Sequence, residues 1–154
     1  LRGENAPVKE FGKKLKQLVK DMKDTMDIAE GLGLAAPQVG INLRVFLMVL
    51  GYKSGKGKVI AMCNPRVISY SEATDIAEEG CLSLPGIWGK VERHKGVMVE
   101  FFDVEGARHV LDLKGLDARE FQHENDHLNG VLFVDRIREQ SRKLSEVEIE
   151  GEVM

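Results

Sequence analysis

Apolar residues at Phe11, Leu15, Leu18, Val19, Met22 and Met26 return every three or four positions between lysines and aspartates, which is the spacing of one helix face. An amphipathic helix is predicted over residues 8–29, with Gly31 as its stop. Its methionines read as packing residues, not as cofactor contacts. Residues 44–50 and 58–63 predict two strands, joined by a basic, glycine-bearing turn over residues 51–57 that lacks the spacing of a phosphate cradle. Asn64-Pro65 is expected to break the second strand; residues 66–73 then pair again, and residues 86–89 make another turn. Residues 97–102 and 107–113 flank Asp103-Val104-Glu105-Gly106, a hairpin pattern. From residue 115 to 128 the period turns helical, with Asp117 in the first turn and Asn129-Gly130 as the stop. The fold class this predicts is α+β: mostly antiparallel β-sheets around a central helix, plus the N-terminal amphipathic helix.

The chain has 154 residues, the size of one domain. We expect a core over residues 1–137 and an acidic tail over 138–154, which alternates glutamates with a few aliphatics. Hydrophobic residues make up 43% and charged residues 31% of the chain, so a packed core is within reach and a disordered or low-complexity chain is excluded. A net charge of −3 supplies no basic field for DNA or an anionic membrane. The longest apolar stretch, residues 45–50, is far short of the ~20 residues of a membrane span, and the polar residues 1–5 make no signal peptide. An intracellular protein without DNA or membrane partners is expected. Two cysteines, Cys63 and Cys81, make no disulfide framework, so each is a packing residue, a reactive thiol or a metal ligand.

The sharpest chemistry lies in His123-Glu124-Asn125-Asp126-His127, inside the second predicted helix. Residues four apart share a helix face, so both imidazoles can reach one metal ion. Glu124 sits one step around the helix, where its carboxylate can take a proton from water activated there. Cys81, in Glu78-Glu79-Gly80-Cys81-Leu82-Ser83-Leu84-Pro85, is the chosen third ligand: Gly80 gives the backbone freedom beside the thiol, and Pro85 ends the extension. One thiolate and two imidazoles leave a tetrahedral position open, as catalytic sites do. An alternative adds Cys63 to close a structural zinc site. Another, a zinc metallopeptidase, takes its third ligand downstream at Glu139 or Glu146. The stretch from Gly31 to Gly40 allows close backbone approach and contains one amide, Gln38, among apolar neighbours, a plausible donor to an oxyanion.

Together the three segments resemble peptide deformylases, whose motifs Gly-x-Gly-x-Ala-Ala-x-Gln, Glu-Gly-Cys-Leu-Ser and His-Glu-x-x-His stand here, in order, at residues 31–38, 79–83 and 123–127. The resemblance runs from Leu1-Arg2 and Ala6-Pro7-Val8 to about Ile137. It implies a metal-dependent hydrolase that removes the N-formyl group from the initiator methionine of new bacterial or organellar polypeptides and releases formate. The implied metal is Fe2+, with Zn2+, Ni2+ or Co2+ as substitutes. Carried over by position, Cys81, His123 and His127 would bind it, Glu124 would be the acid/base, and Gln38 with the Leu82 backbone N–H would stabilise the oxyanion. Leu32, Gly33, Gly80, Leu116, Glu120 and Arg93 would meet the substrate, which family strands align by β-like pairing. Glu79 is expected beside Arg93, and Asp126 near the ligands.

Three departures qualify the resemblance. Family members usually carry a short segment before Leu-Arg, so a first strand is expected to lie outside this sequence. The tail bears Glu146, Glu148, Glu150 and Glu152, unlike the basic helix with which some relatives dock on the ribosome, so transient ribosome contact is not expected through it. Glu120 stands where the family more often has a small or apolar residue near the methionine pocket. We expect its carboxylate to turn to solvent. A monomer in the bacterial cytoplasm or an organellar matrix or stroma completes the expectation.

Overall fold

A computed structural model describes residues 3–55, 57–81 and 83–137. Helix α1 spans Lys13–Ile28. Strands β1 (Gly33–Ala35), β2 (Val45–Leu50) and β3 (Lys58–Tyr70) follow, then a hairpin of β4 (Thr74–Cys81) and β5 (Leu84–His94). Strands β6 (Gly96–Phe102) and β7 (Arg108–Lys114) lead into helix α2 (Gly115–Leu128). The strands form an antiparallel five-stranded sheet of order β1-β2-β3-β6-β7 and a separate two-stranded sheet, β4-β5.

Strand β2 is apolar throughout because both of its faces are covered. Phe46 and Met48 join Met62, Val99, Phe101 and Phe121 under α2, where the Phe46 and Phe121 rings meet edge to face at 5.4 Å. Val45 and Leu47 point the other way and pack with Cys63 against Leu15, Met22 and Met26 of α1. The predicted amphipathic stripe is thus the buried stripe. Its stop is displaced by one residue: Glu30, at φ 54°, takes the left-handed position, with Gly31 N–H donating to Met26 O at 3.1 Å and Glu30 N–H to Asp27 O at 3.2 Å.

Asn64-Pro65 does not break β3. Asn64 adopts φ 49° in a bulge between Cys63 and Arg66, and its side chain serves Val8 twice, accepting from Val8 N–H at 2.7 Å and donating to Val8 O at 3.0 Å. Nor do residues 86–89 form the hairpin turn. Register passes from Gly80↔Trp88 to Cys81↔Leu84, so the turn lies between Cys81 and Leu84, and Gly86, at φ 78°, serves an irregularity within β5. The N-terminal segment closes the far end of α2. Ala6 bridges Leu43, Asn5 Nδ2 donates to Leu128 O at 2.9 Å, and Arg44 Nη1 donates to the same carbonyl at 3.1 Å. The tail over residues 138–154 lies outside the described residues.

Candidate active site

Helix α2 presents an unusual face. Arg119, Gln122, His123, Glu124 and His127 are all buried, where an ordinary core helix would place aliphatics. Gln122 bonds the end of β5 in both directions, donating to His94 O at 2.8 Å and accepting from His94 N–H at 3.1 Å. The hairpin therefore lies along α2 and delivers Cys81 to the histidines. Sγ of Cys81 stands 3.3 Å from His127 Nε2, and ligand atoms of Cys81, His123 and His127 all fall within 4.8 Å of one another.

On the opposite side, β1 and the turn Ala36–Val39 carry Gln38. Its Oε1 accepts from Ala35 N–H at 2.8 Å, so its Nε2 points across the site and donates to Ser83 Oγ at 2.9 Å and Cys81 Sγ at 3.4 Å. The residues from Gly33 to Gln38 are thus a short strand and a helical turn. An ideal Cβ built at Gly33 would collide with the carboxylates of both Glu120 and Glu124. Any larger residue there would force both carboxylates to move.

Burial works to raise the Cys81 thiol, but hydrogen bonds with His123 and His127 outweigh it and bring it down to about 6. Burial likewise works to lower His123, but its bonds with Cys81 and Glu79 hold it well above the ordinary histidine range. A proton thus sits among a thiolate and two imidazoles, where a cation of higher charge fits the same donors. One buried atom sharpens this fit: Glu124 Oε1, beside the donors, has no partner among the described residues. Burial first, then the Glu120 carboxylate, push Glu124 well above the usual carboxylate range.

Behind the ligands stands a buried ion network. Glu79 Oε1 lies 2.9 Å from His123 Nδ1, and Arg93 grips both Glu79 oxygens at 2.9 and 3.0 Å while reaching Asp126 at 2.5 Å. Burial would raise Glu79, yet hydrogen bonds from His123 and Arg93 hold it at about 2. Asp126 also accepts two bonds from Arg136, at 2.6 and 2.8 Å.

The cleft in front has a volume of about 530 Å³ and is lined by, among others, Leu32, Gly33, Gly80, Leu116, Glu120 and Glu124. Five of the residues expected to meet substrate therefore line one cleft, from β1 and the residue before it, β4 and α2. The sixth, Arg93, does not line the cleft: it is 4% exposed, behind Glu79, because its charge is consumed by two carboxylates. Glu120 turns into the cleft beside Glu124, not out to solvent as expected, since the ligand face of α2 is the cleft-facing side. Leu82 lies outside the described residues. Cys63 is fully buried on the α1 face of the sheet, its thiol pushed up to about 11 by burial and by Asp103, so the closed site with Cys63 as fourth ligand does not form. Glu139 and Glu146 lie outside the described residues, and Cys81 supplies the third donor. Sequence reasoning missed Ser83, Gln122 and Arg119; Gln122 and Arg119 precede the motif on its own helix, and that burial-prone run of α2 was the available signal.

A buried carboxylate beside a cysteine and two histidines, at the foot of an open cleft, is the arrangement of metal-dependent hydrolases. The family model of polypeptide deformylase matches residues 1–143, and this chain belongs to that family. It is 46% identical over 144 residues to a peptide deformylase of Thermotoga neapolitana, covering 94% of this chain and 85% of the relative. It is 43% identical over 140 residues to the chloroplastic/mitochondrial peptide deformylase 1B of Arabidopsis thaliana, covering 91% of this chain and 51% of that longer protein. The crystal structure of the Thermotoga maritima peptide deformylase superposes with a TM-score of 0.83 at 43% identity, covering 88% of this chain and 89% of that one. A Met-Ala-Ser-bound peptide deformylase from Acinetobacter baumannii superposes at 0.81 and 37% identity, covering 88% and 91%. The chain is a hydrolase that removes the N-formyl group from newly made polypeptides. Among the described residues no helix is long and apolar enough to cross a membrane.

Proposed function

We propose that Cys81, His123 and His127 hold one divalent ion and that Glu124 is the acid/base of formyl-methionine hydrolysis. The observation that carries this reading is the convergence of the three donors within 4.8 Å beside a buried carboxylate oxygen, Glu124 Oε1, that has no partner among the described residues. Bound there, the ion supplies a Lewis acid that makes water acidic enough to attack at neutral pH. Glu124 accepts the proton of the attacking water and returns it to the leaving amine. Gln38 Nε2, aimed into the site by its bond to Ala35, donates to the oxygen on which negative charge grows, together with the Leu82 N–H. Glu79 holds His123 by Nδ1, leaving Nε2 for the ion.

Substrate enters the cleft with its first side chain against Leu32, Leu116 and Glu120, and its backbone beside Gly33 and Gly80. The tripeptide named for the Acinetobacter baumannii structure is a product of the kind this reading predicts, with methionine first. Fe2+ is the physiological ion in this reading, with Zn2+, Ni2+ and Co2+ as substitutes. The chain acts as a monomeric single catalytic domain in a bacterial cytoplasm or an organellar matrix or stroma, without DNA or membrane partners and without ribosome docking through residues 138–154. The test is formate release from formyl-Met-Ala-Ser, with metal content measured on the same anaerobic preparation. Stoichiometric metal with no formate release overturns the reading.

A further inference from the structure

Glu79 accepts four hydrogen bonds on two oxygens: one from His123, two from Arg93 and one from Arg119, whose Nη1 lies 2.6 Å from Oε2. Arg119 was singled out by no motif. It sits on α2 one turn before His123, the placement that puts two side chains on the same helix face, and it is 8% exposed. Besides Glu79 it binds both strands of the hairpin. Nη1 also donates to Val91 O of β5 at 2.9 Å, and Nη2 donates to Asp75 O at 3.0 Å and Asp75 Oδ1 at 2.6 Å on β4.

The hairpin β4-β5 is a sheet of its own, with no ladder to the five-stranded sheet. The distance from the Cys81 thiol to the two imidazoles is therefore set by how this hairpin sits on α2. Arg93 ties β5 to α2 through Asp126, on the C-terminal side of His123. Arg119 ties both strands on the N-terminal side. Glu79 and Cys81 are two apart on β4 and so share a strand face, which makes any shift of Glu79 a shift of the thiol.

We propose that Arg119 is a positioning residue of the metal centre: with Arg93 it clamps Glu79 from two sides, keeping the Glu79 carboxylate where it accepts from His123 Nδ1 and the Cys81 thiol in register with both imidazoles. The inference rests on the ligand set proposed above. A planar guanidinium with several donors suits the task, because it can serve a carboxylate and two backbone carbonyls at once; a lysine ammonium reproduces the charge and only part of that geometry.

The test uses the full chain, stripped by chelator and reloaded with Co2+. For Arg119→Met, Co2+ affinity falls by about 10- to 100-fold, the range seen when a partner that orients a metal ligand is lost. The cobalt absorption bands shift, and in a Zn2+-loaded sample the 15N signal of His123 Nδ1 moves as its hydrogen bond to Glu79 loosens. Arg119→Lys restores part of the affinity. A lowered Tm with unchanged Co2+ affinity, bands and His123 signals overturns the proposal, because that pattern belongs to a bond that only supports the fold. If Arg119→Met does not fold, Asp75→Asn loosens the far side of the same guanidinium without touching Glu79. A few-fold weaker affinity then supports the proposal, and unchanged affinity overturns it. The wild-type chain separates the two levels of argument: absence of a thiolate-to-cobalt band there overturns the ligand set itself, whereas a normal band with an indifferent Arg119→Met overturns only the clamp.

Discussion

The two faces of the five-stranded sheet each pack against one helix, and each helix has one cysteine beside it, Cys63 of the sheet under α1 and Cys81 of the separate hairpin under α2, put to opposite uses. Under α1 the contacts are apolar: Leu15, Met22 and Met26 press on Val45, Leu47 and Cys63, with the lysines and aspartates of α1 left in solvent. Under α2 aliphatics give way, along one stripe, to Arg119, Gln122, His123, Glu124 and His127. Burial of the first kind stabilises the fold by removing apolar area from water. Burial of the second kind costs desolvation that only matched partners offset, and where a partner is lacking, as at Glu124 Oε1, the molecule holds reactivity at the expense of stability.

The comparison is broken most widely by the two thiols. In chelated protein at pH 7, values of about 6 for Cys81 and about 11 for Cys63 put the thiolate fractions apart by about four orders of magnitude. Iodoacetamide therefore modifies Cys81, with a rate that climbs as pH rises through about 6 and then levels, while Cys63 stays unmodified until the chain unfolds. Peptide mass mapping reads both, and reloading metal protects Cys81. Equal labelling of the two would erase the contrast.

Glu124→Ala is expected to lower kcat by about 10²- to 10⁴-fold with stoichiometric metal retained and little loss of Tm, since the group removed is a buried carboxyl with one oxygen, Oε1, unpaired among the described residues. Formate kinetics alongside metal analysis and a thermal melt check this. Met22→Ala does the reverse on the other face. Met22 is 1% exposed, so its truncation costs about 2–5 kcal/mol of stability while kcat/KM of the folded fraction is unchanged; urea unfolding and assays well below Tm decide it.

A smaller effect comes from the cleft wall. Glu120→Val removes a carboxylate facing the site and is expected to raise kcat/KM for formyl-methionyl peptides by about tenfold, the worth of ~1.4 kcal/mol of apolar contact, at constant metal content. An unchanged value shows that the carboxylate does not restrict the pocket. Smallest is the exposed pair Lys16–Glu105, 2.8 Å apart with side chains 49% and 69% exposed. Glu105→Gln moves stability by less than about 0.5 kcal/mol and leaves turnover alone.

What could be read beforehand divides along the same line. The bounds of α2 and the stripe of α1 are periodic signals, and periodicity is local. That His123 and His127 share one helix face was legible because a spacing of four is local; that Cys81 lies within 4.8 Å of both depends on how the hairpin sits on α2. The continuity of β3 through Asn64-Pro65 was not legible, because it depends on Asn64 finding Val8 across 56 positions and on a left-handed φ that only that pairing makes worthwhile. The hairpin turn was misplaced because Gly86 signals positive φ equally well within a strand irregularity as in a turn. Arg119 belongs to none of the three motifs. Nothing local reveals that Glu79, Val91 and Asp75 all converge on it.

The bonds from Asn5 and Arg44 to Leu128 O bear on the order of events in time. A chain growing from its amino terminus must extend 123 positions beyond Asn5 before the first of these can close, and 46 beyond Cys81 before the thiol meets His127. No shorter prefix holds the complete donor set, and closures across such long loops form late because their entropy is spent before any contact repays it. A copy still under synthesis is therefore inert as a hydrolase until α2 has emerged and folded against the hairpin.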